Sequence, residues 1–313
     1  MGQAPSLTTI TTPNDNRHRT SVIIVPPAGE SDVPPHGRPL VVALHGAGGT
    51  AHNMISTTRW DQLAKREGFV VAFPNGTPSD ELKRASFLRN PQTWNSGEGT
   101  SLAANNTSAH AKNVDDVAFL TTLIQYIISR TTIDARRIYI AGHSNGAAMA
   151  YRFARERPEL VAAVGVMAGH LQPGLQLLQS PVSLLSICGD QDPFAPLEGG
   201  LAGTRRKKKT TRAMILNAYD WAHANGLLSG ESCGAHLPHV VRDDAELKVV
   251  TFGPNKHGTE VRQIVIKQHG HAWAGGSQKL PGFVMGPSSK ALNATDEMWK
   301  FFCAKRKPLA PRS

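Results

Sequence analysis

Arg137-Ile-Tyr-Ile-Ala141 runs directly into Gly142-His-Ser-Asn-Gly146, and this into Ala147-Ala-Met-Ala-Tyr-Arg-Phe-Ala154. The first segment is a short apolar run with strand character, and the last is helix-prone. Between them stands a G-x-S-x-G turn. Strand, turn and helix in that order is the setting in which such a turn lifts one hydroxyl clear of the end of a sheet. Side chains at the flanking positions would meet the neighbouring strand and helix, so glycines stand at 142 and 146. The pentapeptide alone is common by chance and would suit a plain strand-to-helix turn. Its flanks make Ser144 the candidate nucleophile.

A serine hydroxyl is a poor nucleophile near neutral pH. It needs a base, and the base needs an orienting acid. In α/β-hydrolases the chain order is Ser, then Asp or Glu, then His. Downstream, the apolar run Pro181-Val-Ser-Leu-Leu-Ser-Ile-Cys188 leads into Gly189-Asp-Gln-Asp-Pro-Phe-Ala-Pro196. Asp190 and Asp192 thus sit just past the C-terminal end of a predicted strand, where catalytic groups gather in open α/β sheets. A third run, Val261-Arg-Gln-Ile-Val-Ile-Lys267, brings His269 and His271 to a strand end in Gln268-His-Gly-His-Ala-Trp-Ala-Gly-Gly276. Isolated Asp and His residues of this kind more often cap turns. Here each follows a strand-like run in the required order, which favours chemistry. The spacing does not choose within either pair.

Upstream, Pro39-Leu-Val-Val-Ala-Leu44 is a continuous apolar run of the kind a buried parallel strand shows, and it ends in His45-Gly-Ala-Gly-Gly-Thr50. Backbone N–H groups in so small a loop can face a developing oxyanion. Ala47 is assigned as one donor and Asn145, directly after the nucleophile, as the other. The loop lacks the Gly-Lys-Ser/Thr ending of a phosphate loop and the G-x-G-x-x-G spacing of a dinucleotide site.

The rest of the chain alternates strand and helix. Thr20–Val25, Leu40–Leu44, Phe69–Phe73 and Leu160–Met167 read as strands; Trp60–Glu67, Asp115–Ser129 and Asp296–Cys303 read as helices. Such alternation predicts an α/β fold with a mostly parallel central sheet and helices on both faces. Residues 168–180 leave no room for a cap domain between two strands, so an open groove is expected. Residues 74–113 form a long stretch rich in Asn, Gly, Ser and Pro. It holds Trp94, which either walls the pocket beside Trp273 or anchors the loop by burial. The expected organisation is a flexible extension over 1–19, one α/β-hydrolase domain over 20–304 and a basic tail over 305–313.

Leu44-His-Gly-Ala-Gly-Gly49, Asn113-Val-Asp-Asp-Val-Ala-Phe-Leu120, Ala141-Gly-His-Ser-Asn-Gly-Ala-Ala-Met149, Gly189 to Pro196 followed by Gly199-Gly200, and Gly270-His-Ala-Trp-Ala-Gly-Gly276 together resemble the polyhydroxybutyrate depolymerase and feruloyl esterase group. The likeness extends over nearly the whole chain. It implies the α/β-hydrolase fold and no cofactor; the scattered histidines, with no His-x-x-x-His or Cys-x-x-Cys spacing, separately predict no metal. It also resolves both pairs: the second Asp of the Gly-x-x-Asp segment is the acid, Asp192, and the His of Gly-His-x-Trp is the base, His271. Asp115-Asp116 falls in a motif that the resemblance makes structural. His45, Trp94, His143 and Trp273 are expected to touch substrate. The implied activity is a serine carboxylic-ester hydrolase forming an acyl-enzyme with bulky or polymeric esters, of hydroxyalkanoate or hydroxycinnamoyl type. An acetyl-xylan-type or general short-chain esterase is the alternative. A peptidase or acyltransferase using the same residues, or a binding protein without chemistry, are the rivals.

The chain departs from that group in three places. Trp221-Ala-His-Ala-Asn-Gly226 is followed by Leu227 where a Cys is common, with Cys233 only later. Arg205-Arg-Lys-Lys-Lys209 replaces a less charged loop, and Met1-Gly-Gln-Ala-Pro-Ser-Leu7 shows no secretion signal although members are frequently exported. Three cysteines, at 188, 233 and 303, argue against a disulfide scaffold, although one Cys233–Cys303 bond is compatible with the sequence. The net charge of +10 owes much to residues 205–212 and 305–307. No aromatic residues interleave with these runs, so a solvated face is expected rather than a nucleic-acid partner. No apolar run is long enough to cross a membrane. The expected partner is the ester substrate, polymers included, met by a monomer that is secreted or periplasmic by resemblance.

Overall fold

The computed structural model describes residues 6–12, 16–27, 33–97, 107–172, 177–203, 208–228, 239–277 and 280–308. The chain opens with β1 (Ser6–Thr11), β2 (His18–Ile24) and β3 (Arg38–Leu44), then α1 (Ala51–Thr58), α2 (Trp60–Glu67) and β4 (Val70–Pro74). The short β5 (Thr77–Pro78) and β6 (Gln92–Thr93) precede α3 (Asp116–Arg130), β7 (Ile133–His143), α4 (Asn145–Glu156), β8 (Ala163–Met167) and β9 (Ser183–Gly189). A hairpin of β10 (Gly200–Gly203) and β11 (Lys208–Thr211) leads to α5 (Leu216–Ala224). The chain closes with β12 (His239–Asp243), β13 (Leu247–Phe252), β14 (Val261–Ile266), α6 (Gly282–Met285) and α7 (Ala294–Cys303).

Ten strands form one sheet in the order β1-β2-β4-β3-β7-β8-β9-β14-β13-β12. The six strands from β4 to β14 run parallel, and antiparallel strands extend the sheet at both edges. The central strands β3, β4, β8 and β9 are buried along their whole length. That burial is why their sequences are largely apolar, with only Arg38, Ser183 and Ser186 polar among them. Successive side chains leave a strand on opposite faces. Val42 accordingly packs with Phe119, Leu123, Tyr151 and Trp221 under α3, α4 and α5. Its neighbour Val41 packs with Trp60, Leu63, Met298 and Phe302 under α1, α2 and α7. Tyr139 of β7 stacks on Phe302 with ring centres 4.7 Å apart. The fold is that of an α/β-hydrolase, with no cap among the described residues between β8 and β9.

Capping fixes where the helices begin. Thr50 accepts from Asn53 N at α1, Asp115 from Ala118 N at α3, and Asn293 from Thr295 N and Asp296 N at α7. The parallel strands all end on one side of the sheet. The loops that follow β3, β7, β9 and β14 therefore face one another.

The ends of the chain differ from the sequence expectation. Residues 6–11, read as part of a flexible extension, form β1 and pair with β2 from Ser6↔Ile23 to Thr11↔His18. Ile10 is buried there between threonines, a weak alternation that suits an edge strand. At the other end, Lys305 and Lys307 of the presumed basic tail are buried. Lys307 N donates to Arg136 O at 2.9 Å and Lys305 Nζ to Glu260 Oε2 at 2.7 Å, so this stretch folds back on the sheet. Residues 205–207 of the basic run, and Cys233, lie outside the described residues.

Candidate active site

Ser144 stands between β7 and α4 with φ 54° and ψ −120°. A non-glycine residue held at positive φ costs of order 1–3 kcal/mol and needs its surroundings to enforce it. The enforcement is visible at the flanking glycines. A Cβ on Gly146 would lie 2.4 Å from the carbonyl oxygens of Leu44 and His45, and one on Gly142 would lie 2.4 Å from Gly146 O. The elbow is thus wedged against the end of β3, and Ser144 N donates to Met167 O at the end of β8.

His271, after β14, is mostly buried and its Nε2 lies 2.8 Å from Ser144 Oγ. Its Nδ1 lies 2.7 Å from Asp192 Oδ2. A carboxylate only accepts, so Nδ1 carries the proton and Nε2 turns its lone pair to the serine. His271 N donates to Met285 O at 2.6 Å, which anchors the loop on α6. Asp192 is held in turn: its Oδ1 accepts from Phe194 N at 2.8 Å and Ala195 N at 2.9 Å. Burial alone would push this carboxyl up. The neighbouring His271 and the two backbone N–H groups outweigh it and hold Asp192 below the usual carboxylate range.

The neighbours that the sequence left open lie elsewhere. His269 Nε2 donates to Ala272 O at 2.9 Å and its Nδ1 accepts from Ser289 N at 3.0 Å. Both ring nitrogens are spent on backbone, and desolvation keeps this imidazole below its ordinary pKa. Asp190 is exposed, and its carboxylate accepts from His269 N at 3.4 Å.

Asn145 begins α4, where the first N–H groups have no acceptor within the helix. In the facing loop, Gly48 N donates to Gln92 O and Gly49 N to Gly46 O, while Ala47 N has no partner among the described residues. Of the two, Asn145 N directly follows Ser144 and stands at the positive end of a helix.

Four residues expected at the substrate are placed differently. Trp94 is fully buried and its Nε1 donates to His45 O at 2.8 Å. Of the two readings of this residue, burial as an anchor is the one found. Trp273 is buried with Nε1 on Thr295 Oγ1 at 3.0 Å. His45 is buried too: its Nδ1 donates to Gly46 O at 2.8 Å and its Nε2 accepts from Gly76 N at 2.9 Å. Desolvation lowers its pKa to about 4. His143 is half-buried, with Nε2 donating to His271 O at 2.7 Å and its ring 6.0 Å from that of Trp273. Desolvation brings it to about 4 as well. Trp94, Trp273 and His45 brace the loops from within, because their polar atoms are already bonded inside the fold.

Other contacts around the site were not read from the sequence, among them those of the Asn145 side chain. Asn145 Oδ1 accepts from Trp94 N at 2.7 Å, and its Nδ2 donates to Trp94 O at 3.1 Å and Ser96 Oγ at 3.2 Å. Phe194 lies 5.0 Å from the His271 ring, and Phe87 packs against Gly48. Phe283 of α6 is 91% exposed.

Residues 24–199 match the family model of esterases described as PHB depolymerase. The chain belongs to this esterase family. The family makes it a carboxylic-ester hydrolase. NocK of Nocardia uniformis subsp. tsuyamanensis, designated an esterase, is 26% identical over 271 residues, covering 84% of this chain and 73% of that protein. Feruloyl esterase B of Thermothelomyces thermophilus is 27% identical over 218 residues, covering 69% of this chain and 63% of its own. The chain thus spans less than two thirds of that relative. The acetyl xylan esterase structure from Aspergillus awamori superposes with a TM-score of 0.56 at 16% identity, over 96% of this chain and 99% of that one. This last likeness is one of fold.

Proposed function

We propose that this member of the PHB depolymerase esterase family is a serine esterase that works through an acyl-enzyme on bulky or polymeric carboxylic esters. The observation that carries the reading is the line from Asp192 Oδ2 to His271 Nδ1 at 2.7 Å and from His271 Nε2 to Ser144 Oγ at 2.8 Å. Ser144 Oγ attacks the ester carbonyl while His271 Nε2 takes its proton. The oxyanion sits between the N–H groups of Ala47 and Asn145, each such donor being worth about 3–4 kcal/mol in the transition state. His271 then returns the proton to the leaving alkoxide. Water, deprotonated by the same imidazole, attacks the acyl-enzyme and releases the acid. Asp192 fixes the tautomer and stabilises the imidazolium.

The substrate class rests on the shape of the rim. Residues 168–180 are too few for a cap, Phe194 lies beside the His271 ring, and Phe283 is exposed on α6, whose Met285 O holds His271 N. An open site of this kind favours bulky esters over long acyl chains, which gain about 0.8 kcal/mol per methylene only where a tunnel buries them. Hydroxyalkanoate oligomers and hydroxycinnamate esters are the favoured candidates. An acetyl-xylan-type activity is the second reading, supported by the full-length likeness to the acetyl xylan esterase fold.

A fluorophosphonate probe should label Ser144, and Ser144→Ala should lose both the adduct and about 10⁴–10⁶-fold in turnover. The panel to measure is p-nitrophenyl acetate, butyrate and palmitate, methyl ferulate, acetylated xylan and hydroxybutyrate oligomers. Preference for palmitate, with no turnover of the ferulate or the oligomers, would refute the substrate class. An unlabelled folded protein would refute the mechanism.

A further inference from the structure

At the end of the sheet opposite Ser144 lies a cavity of about 330 Å³, within the range of small-molecule sites. It is bordered where β7, β8, β9 and β14 begin and where the chain leaves α7. The strand length alone puts it about 20 Å from the ester site. Its lining includes Arg136, Ser183, His257, Lys305, Arg306 and Lys307, and none of its residues is acidic.

The cations are unequally compensated. Lys305 Nζ pairs with Glu260 Oε2 at 2.7 Å, and Arg262 takes Glu260 Oε1 at 2.7 Å, which spends that carboxylate. Lys307 is 7% exposed, yet among the described residues its Nζ meets only Ser180 Oγ and Pro181 O. An ammonium has three donors, so one remains. Arg136 commits Nε to Lys307 O at 2.8 Å, and its two Nη groups have no partner among the described residues. The C-terminal end of α7 attracts cations through its dipole. That does not account for Lys307, whose ammonium rests on the start of β9 instead of on helix carbonyls. A buried charge with no ion pair in contact is costly, and desolvation outweighs the more distant attraction of Glu159 and lowers the Lys307 pKa to about 8.

We propose that this cavity binds a small oxyanion, a phosphate or a short carboxylate, between Lys307, Arg136 and Arg306. The anion supplies the missing counter-charge and takes bidentate bonds from Arg136. It ties the starts of β7 and β9 to the chain beyond α7.

Calorimetric titration of the full chain with sodium phosphate and, separately, sodium succinate, in chloride at constant ionic strength, tests this. One-site saturable binding of either anion is expected, and the anion that binds names the class. Lys307→Met should weaken binding by about tenfold or more, since a hydrogen bond to a charged group is worth about 1.5–3 kcal/mol. Lys307→Arg should largely retain it. Arg306→Gln, at an exposed position, should weaken binding without threatening the fold, and ester turnover should stay unchanged in all three. No saturable heat with either anion, or undiminished binding in both Lys307→Met and Arg306→Gln, would overturn the proposal. Should Lys307→Met fail to fold, Arg306→Gln and Arg136→Gln decide it.

Discussion

His269 and His271 stand two positions apart on one loop and do different work. His269 has each ring nitrogen bonded to backbone, whereas His271 faces a carboxylate on one side and a hydroxyl on the other. His271→Ala should therefore cost turnover as much as Ser144→Ala. His269→Gln should act mainly on stability, leaving Ala272 O or Ser289 N in need of a partner at about 1–3 kcal/mol. In the same way Asp192→Asn should be severe and Asp190→Asn modest. Turnover and urea midpoints of the four variants check this, and reversed severity within either pair would transfer the role to the neighbour. The residues alone placed both pairs at strand ends but could not choose within them. The choice depends on partners brought from elsewhere in the chain, Ser289 for His269 and Asp192 with Ser144 for His271. Residue scale is also where the expected substrate contacts failed. A Trp or His in a loop looks the same in sequence whether its polar atom meets a ligand or, as with Trp94 and His45, a buried carbonyl.

Among the elements, the parallel strands were legible and the sheet edges were not. Leu40–Leu44 and Phe69–Phe73 declare themselves because both faces are covered. The edge strand β12 is exposed throughout and carries no pattern to read. The loop around Trp94 also hid its organisation, which depends on an ion pair between distant elements. Arg19 of β2 meets Asp116 at the start of α3 at 2.8 Å, both buried, and Arg19 lies 4.3 Å over the Phe119 ring. Asp116 Oδ2 also accepts from Asn95 N at 2.7 Å. The pair thus holds the loop that grips the Asn145 side chain. Removing one partner strands a buried charge, so Asp116→Ala should destabilise by about 3–5 kcal/mol. The double variant Arg19→Met/Asp116→Leu should recover much of that stability and yet turn over ester more slowly, because Asn95 N has lost its acceptor. Denaturant midpoints and kcat, measured together, separate the two effects. A double variant as active as the parent would show that the loop needs no such tether.

For the molecule as a whole, buried titratable groups set the acid limit. His45 and His143 are neutral inside the fold with pKa values of about 4, against 6.5 outside it. As the pH falls through 6.5 the unfolded chain takes up protons that the folded chain refuses until about 4. Stability is therefore complete above pH 6.5 and is lost from there toward 4. Below that, Asp192 and Glu260, whose carboxyls sit under their ordinary range, extend the loss as each is finally protonated. Urea midpoints taken from pH 7 to 4 should decline throughout; a level curve over that span would contradict the neutral assignments.

The hydrogen bonds from Asp192 to His271 and from His271 to Ser144 close loops of 79 and 127 positions. Such closures must be paid in chain entropy before any contact rewards them, and they form late. A chain still lacking β14 can hold the elbow and most of the parallel sheet without being able to turn over an ester. Recovered turnover therefore counts finished molecules, whereas helix content counts partial ones. In refolding from urea, the far-ultraviolet signal should return before catalysis does, and the interval between them measures how long β14 takes to find β9.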